Sequence, residues 1–183
     1  MKIAGAAAAI ALALVLQTTI GQMLVRGTAA LDLVLVVVVY IALTMGPATG
    51  LVAGSVAGLA QDALASGIIG IGGLANTVVG YVIGLVGTQF IVAKAIPRVV
   101  VFAAATVLHA VIFMGTYELL GVRHFGVPVG GVLSQAAANA LVGVVGFQVI
   151  ETFPGFLERR ATTSQLLRIS GAPGQRWSKT PPS

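Results

Sequence analysis

Five polar side chains stand inside otherwise apolar stretches of this chain, and they are the residues whose types could do chemistry. A carboxylate, an imidazole or an amide in apolar surroundings is costly, so it has a hydrogen-bond partner or a functional role. Ligand binding and proton transfer both rely on groups of these kinds. The five candidate buried polar residues are Gln61, Asp62, His109, Gln135 and Asn139.

Asp62 has two interpretations that the sequence leaves open. It precedes a glycine-rich segment, residues 65–73, which is predicted to be a loop. The carboxylate either accepts hydrogen bonds from the backbone amides of that loop or pairs with a partner at the membrane boundary.

Three of the other candidates are best explained by hydrogen bonds between helices, although each has an alternative. His109 is expected to be a buried neutral histidine, because a proton relay would need acidic neighbours and none is evident near it in the sequence. Gln135 and Asn139 are four residues apart and share one helix face, so they could bond neighbouring helices or line a polar cavity.

Motifs typical of enzymes are absent from the sequence. The chain has neither a Gly-rich loop ending in Gly-Lys-Ser/Thr nor the pattern His-Glu-x-x-His. Residues 70–75 fit a loose dinucleotide-binding pattern, but without a preceding strand this match is attributed to chance. There is no cysteine. We therefore predict a protein that is not an enzyme, with no catalytic residue, no cofactor and no metal site.

The composition decides the class of protein. Of 183 residues, 57% are hydrophobic and only 8% are charged, and the mean hydropathy is +1.03. A soluble enzyme or a nucleic-acid-binding module needs more polar surface than this, and a disordered chain needs polarity throughout. The long continuous apolar runs predict an all-α integral membrane protein.

Six transmembrane helices are predicted, at residues 3–25, 33–45, 49–64, 74–93, 99–120 and 129–153. The second and third are short for a hydrocarbon core that needs about 20 residues, so a re-entrant hairpin is the alternative there. The first resembles a signal peptide but lacks a clear cleavage site, which favours a retained helix.

The basic residues predict how these helices are oriented. With six spans and a cytoplasmic N-terminus, eight of the 10 Lys and Arg residues lie inside, and only Arg26 and Arg123 lie outside. This bias predicts cytoplasmic N- and C-termini. An abrupt change of composition at Pro154 divides the chain into a transmembrane domain, residues 1–153, and a basic, partly disordered cytoplasmic tail, residues 154–183.

Glycines repeat every four residues through the third predicted span. Two more glycines with the same spacing lie in the fourth predicted span. Such a row forms a smooth helix face that lets another helix approach closely. We predict a helix-packing or partner interface at Gly50, Gly54, Gly58, Gly80 and Gly84.

The order of these features resembles the family of the bacterial rod shape-determining protein MreD. The resemblance covers residues 32–93 best, and it is carried by Asp32 before an apolar run, Gly46-Pro47, Gly58-Leu59-Ala60-Gln61-Asp62, Gly70-Ile71-Gly72 and Gly80-Tyr81-Val82-Ile83-Gly84.

The resemblance implies a non-catalytic scaffold in the bacterial plasma membrane that helps to direct lateral peptidoglycan synthesis and rod shape. The implied partners are an MreC-like single-span membrane protein and, through it, MreB, RodA and a class B penicillin-binding protein, with no nucleic acid. The implied fold is similar to the substrate-binding S component of energy-coupling-factor transporters. A vitamin-binding transporter subunit is therefore the alternative function.

Overall fold

The structure is a computed structural model that describes residues 2–23, 31–65, 68–89, 95–121 and 129–170. The regular secondary structure in these ranges is entirely α-helical, which confirms the predicted all-α class. The helices are α1 (Lys2–Met23), α2 (Leu33–Met45), α3 (Pro47–Leu64), α4 (Ile71–Gln89), α5 (Ala95–Leu119) and α6 (Val129–Ser170).

Helix length and composition fit a membrane protein. Three described segments are long and apolar enough to cross a bilayer, namely Ile71–Gln89, Ile96–Leu119 and Val129–Ile150. Two shorter apolar segments are Ile3–Thr19 and Leu33–Met45. The six-span arrangement stays a prediction, because the shorter segments do not by themselves meet the length of a span.

Helix α2 lies at the centre of the helix packing. It is apolar on all sides, and it contacts α1, α3, α4 and α5. A helix with no polar face belongs in a protein core or in a membrane, and Val34, Val38 and Val39 are 0% exposed here. With Ala13 of α1 and Ala57 of α3, Val34 and Val38 form a core cluster.

A tight turn joins α2 to α3. Gly46 has a φ of 88°, a backbone conformation that side chains disfavour, and Pro47 is the first residue of α3. Proline suits this place because its φ is already helical and its missing N–H would have no helical partner there. Helix α3 therefore begins two residues before the predicted Thr49.

Other helix limits also differ from the predicted ones. Helix α4 begins at Ile71, inside the segment predicted as a loop, and α5 begins at Ala95 and includes Pro97 in its first turn, where proline is tolerated. Helix α6 continues past Pro154 to Ser170.

The chain divides into two compact units, Met1–Gly146 and Phe147–Ser183. The predicted boundary at residues 153 and 154 stays a prediction, and residues 171–183 of the predicted tail lie outside the described residues.

Candidate functional site

Helices α3 and α4 pack more extensively than any other pair of described helices, and glycines make this possible. Gly50 lies directly against the backbone of Gly80, and Gly54 lies directly against the backbone of Asn76. A Cβ atom at Gly58 would lie 2.7 Å from the carbonyl oxygen of Gly72, closer than real side chains approach. The two backbones therefore touch at three successive levels.

The same contact continues at its other end, where Gly84 lies against the backbone of Pro47. Ser55 of α3 and Thr77 of α4 share a hydrogen bond of 2.7 Å between their hydroxyl oxygens. All five predicted interface glycines are buried, and the structure places them in packing within the chain rather than on an exposed face.

Asp62 holds the start of α4. Its Oδ2 atom accepts hydrogen bonds from the backbone amides of Gly70, at 2.8 Å, and Gly73, at 3.1 Å. The first amides of a helix have no partner within the helix, so this carboxylate supplies one from the end of α3. Its other oxygen lies against the α-carbon position of Gly72, where a Cβ atom would collide with it. Of the two interpretations of Asp62, the geometry matches the loop-ordering one; Ser66 and Gly67 lie outside the described residues.

Asp32 connects three helices from a position that is 4% exposed. Its Oδ1 atom accepts a hydrogen bond from the amide of Leu35, at 3.0 Å, and so caps the N-terminus of α2. The same oxygen accepts from the Nε2 of Gln61 on α3, at 3.3 Å. The backbone amide of Asp32 donates to the side chain of Asn139 on α6, at 3.0 Å.

Asn139 extends this network to α5. Its side-chain amide donates to the hydroxyl of Thr106 at 3.1 Å, and that hydroxyl donates to the carbonyl oxygen of Phe102 at 2.9 Å. Asn139 and Thr106 are each 1% exposed. Both ends of the Asn139 amide are therefore used in joining α6 to its neighbours.

Gln61 extends the network to α4. Its Oε1 atom accepts a hydrogen bond from the side-chain amide of Asn76, at 3.2 Å. Gln17 of α1 accepts from the amide of Val34 at 3.0 Å, which satisfies a second free amide at the start of α2. Amide side chains thus join α1, α2, α3 and α4 at the same end of the helices.

A cavity of about 290 Å³ lies beside this network, and we call it the polar cavity. Its apolar lining comes from Leu31, Ala65, Ala110, Phe113 and Met114, with Gly72. Its polar lining consists of Gln17, Asp32, Gln61, Asp62, His109 and Gln135. Four of the five predicted polar residues therefore line one cavity, and the fifth, Asn139, hydrogen-bonds to a residue that lines it.

His109 lies in α5, in the part of the cavity wall that this helix forms. Its ring stacks on Phe113, with 5.8 Å between ring centroids and 18° between planes. Its Nε2 atom is buried and has no hydrogen-bond partner within the described part of the chain. Asp32 and Asp62 line the same cavity as the imidazole. The acidic neighbours that the sequence did not reveal are thus present in the fold.

Three residues of this site were not singled out as site residues from the sequence. Asp32 stands immediately before an apolar run, a typical position for a helix N-cap, and that signal could have identified it. Gln17 and Asn76 are isolated polar residues within apolar stretches and could have been included on the same ground as Gln61.

The arrangement can hold a ligand by hydrogen bonds and charge. Within the ranges that the structure describes, no group of three or more His, Cys, Asp or Glu side chains could hold a metal ion. Two carboxylates, an imidazole and three amides are nevertheless brought to one cavity from four helices, α1, α3, α5 and α6, and from the residue that precedes α2.

Comparison with protein families identifies the chain. The family model described as rod shape-determining protein MreD matches residues 5–147, which include all of the polar cavity. The chain belongs to the MreD family. Searches among curated proteins and among solved structures found no match.

Membership of the MreD family shows a role in rod shape determination. The family description names a shape-determining protein, and the match covers residues of all six helices and the cavity described above. The long apolar helices agree with a location in a membrane.

Proposed function

We propose that this protein is a non-catalytic scaffold of the cell-elongation machinery in the bacterial inner membrane, where it helps to direct lateral peptidoglycan synthesis. The observation that carries the proposal is the family match over residues 5–147. The direct partner is an MreC-like single-span membrane protein, and the indirect partners are MreB, RodA and a class B penicillin-binding protein.

The exposed surface of the helices supports a partner within the bilayer. The glycine faces of α3 and α4 are turned toward each other, so α3 presents large apolar side chains outward instead. Val52 and Val56 are 59% and 58% exposed. Surfaces of this kind are stable against lipid or against a transmembrane helix, and they are unsuited to water.

Co-purification tests the proposal directly. The tagged full chain is expressed with the MreC-like protein of the same organism, extracted in a mild detergent and captured. We expect the single-span protein to be retained in a fixed ratio. An unrelated multi-span protein with the same tag is the control, and equal retention by both would contradict a specific scaffold.

A second candidate function is favoured by one observation, the polar cavity. The S component of a vitamin transporter, which the fold is proposed to resemble, also holds its ligand in a cavity among its helices. A vitamin-binding subunit should retain its vitamin through gentle purification, and mass spectrometry of the denatured sample would detect it. Among the described lining residues Phe113 is the one Phe, Tyr or Trp, which favours the scaffold, because vitamin rings are usually bound by several such side chains.

A further inference from the structure

The charges that line the polar cavity are not balanced by the described residues around it. Asp32 and Asp62 both line it, and no lysine or arginine does so among the residues that the structure describes. Both side chains are buried, at 4% and 8% exposure. Two carboxylates in a buried site are costly unless a positive group accompanies them. A cation in the cavity would remove that cost.

Several hydrogen-bond acceptors in the cavity are also unused. The hydrogen bonds to the two carboxylates from described residues involve Oδ1 of Asp32 and Oδ2 of Asp62, which leaves one oxygen of each without a donor in that part of the chain. The buried Nε2 of His109 likewise has no partner there, and it is an acceptor in the neutral tautomer that carries its proton on Nδ1. An ammonium group carries three donors and no acceptor, which complements such a set of acceptors.

The size and walls of the cavity select a small organic cation. Drug-sized ligands occupy cavities of about 300–1,000 Å³, and this one measures about 290 Å³. The apolar side chains of Leu31 and Met114 suit a short carbon chain, and the ring of Phe113 can attract a cation over its face. A bare metal ion fits less well, because no three acidic or imidazole side chains of the described residues are grouped so that they could hold one.

The position of the cavity indicates where such a cation would come from. It lies where α3 ends and α4 begins. The distribution of basic residues predicts that this end of the helices faces the extracytoplasmic side. We propose that the polar cavity is a binding site for a primary ammonium group, carried either by a phosphatidylethanolamine headgroup or by a small soluble amine. This site goes beyond the scaffold function and does not depend on it.

The first test compares two cations of equal charge. The purified full chain is unfolded thermally with ethanolamine hydrochloride or choline chloride at the same ionic strength, and helix loss is followed by circular dichroism. Choline has no N–H donors, so we expect ethanolamine alone to raise the Tm, by about 5 °C or more at a concentration about a hundred times its Kd.

A lipid arm of the same test separates the two sources. The Tm is measured in nanodiscs of phosphatidylethanolamine and of phosphatidylcholine. A higher Tm in phosphatidylethanolamine identifies the headgroup as the source, whereas a response to soluble ethanolamine without a lipid preference identifies a free amine. The absence of an ammonium-specific response in both arms would overturn the proposal. That result is also expected if a basic side chain of a partner or of this chain occupies the cavity.

Two variants locate the response. Asp32→Asn keeps a side-chain oxygen that can cap α2 and removes the charge, so we expect the Kd for ethanolamine to rise about ten- to a hundredfold. The control Glu118→Gln removes a charge from an exposed side chain that does not line the cavity, and it should leave the Kd unchanged.

A second variant covers the case in which Asp32→Asn does not fold. Gln135 lines the cavity and makes no hydrogen bond with the described residues, so Gln135→Leu should preserve the fold and weaken ethanolamine binding. The cavity variants that fold should have a higher Kd for ethanolamine than Glu118→Gln. If their Kd equals that of Glu118→Gln, ammonium does not bind in this cavity.

Discussion

At the scale of single residues, the two buried aspartates show how a carboxylate is kept in an apolar protein. Each has one oxygen that accepts two hydrogen bonds, from backbone amides at Asp62 and from an amide and a glutamine at Asp32. Hydrogen bonds of this kind offset the cost of burying the charge. The oxygens that remain give the polar cavity its acidic character.

Substitution of Asp62 tests its role at the start of α4. Asp62→Ala leaves the amides of Gly70 and Gly73 without an acceptor and should destabilise the protein by about 1–3 kcal/mol. Asp62→Asn keeps one acceptor oxygen, so it should retain much of the stability and of the ability to restore rod shape in cells lacking the protein.

The measurements for Asp62 are thermal unfolding in detergent and complementation of cell shape, with membrane levels checked by blotting. Glu118→Ala is the matched control, because this carboxylate is exposed at the end of α5. Equal damage by Asn and Ala at position 62 would instead point to an essential charge.

At the scale of helices, α3 and α4 approach closely because glycines leave no side chains between their backbones. Backbone atoms of Gly50 and Gly80 approach so closely that no Cβ atom would fit at either position. In a bilayer, apolar side chains gain little by leaving lipid, so close packing and hydrogen bonds hold helices together. The small residues and the Ser55–Thr77 hydrogen bond supply both.

Replacing one glycine should therefore separate the helices. Gly54→Leu places a side chain against the backbone of Asn76 and should destabilise the protein by at least about 1–3 kcal/mol, the typical cost of overpacking. Val56→Leu adds the same side chain to the same helix at a position that is 58% exposed, and it should be tolerated. Thermal unfolding of both variants makes the comparison. Similar Tm values would show that this contact does not limit stability.

A hydrogen bond between helices provides a second test at this scale. Thr106→Val removes the acceptor used by Asn139 and keeps the side-chain shape, so it should destabilise the protein by about 0.6–2 kcal/mol. Thr116→Val is the control, because the one hydrogen bond of the Thr116 hydroxyl among the described residues is to the carbonyl of Ile112 on its own helix. Thermal unfolding would contradict the expectation if the two variants lost the same stability.

At the scale of the whole molecule, the sequence predicts the helices far better than the cavity. Apolar runs and Gly-Pro mark the elements because these signals act over neighbouring residues, and α2 matches its predicted limits of 33 and 45. The cavity joins Gln17 to Gln135, and no local pattern can show that residues so far apart in sequence meet. The start of α4 at Ile71 was missed for the same reason, because Asp62 supplies the cap from another helix.

The orientation of the whole molecule is the last expectation, and it follows from charge. An even number of spans places both termini on one side, and eight of 10 basic residues then share that side. Fusions of a fluorescent protein and of alkaline phosphatase at the C-terminus should give fluorescence and no phosphatase activity. A phosphatase fusion truncated after Arg123 should be active, because that residue is predicted to lie outside. Phosphatase activity at the C-terminus would mean an odd number of spans. A re-entrant hairpin formed by the short α2 and α3 would not explain that result, because it would remove two crossings and keep the number of spans even.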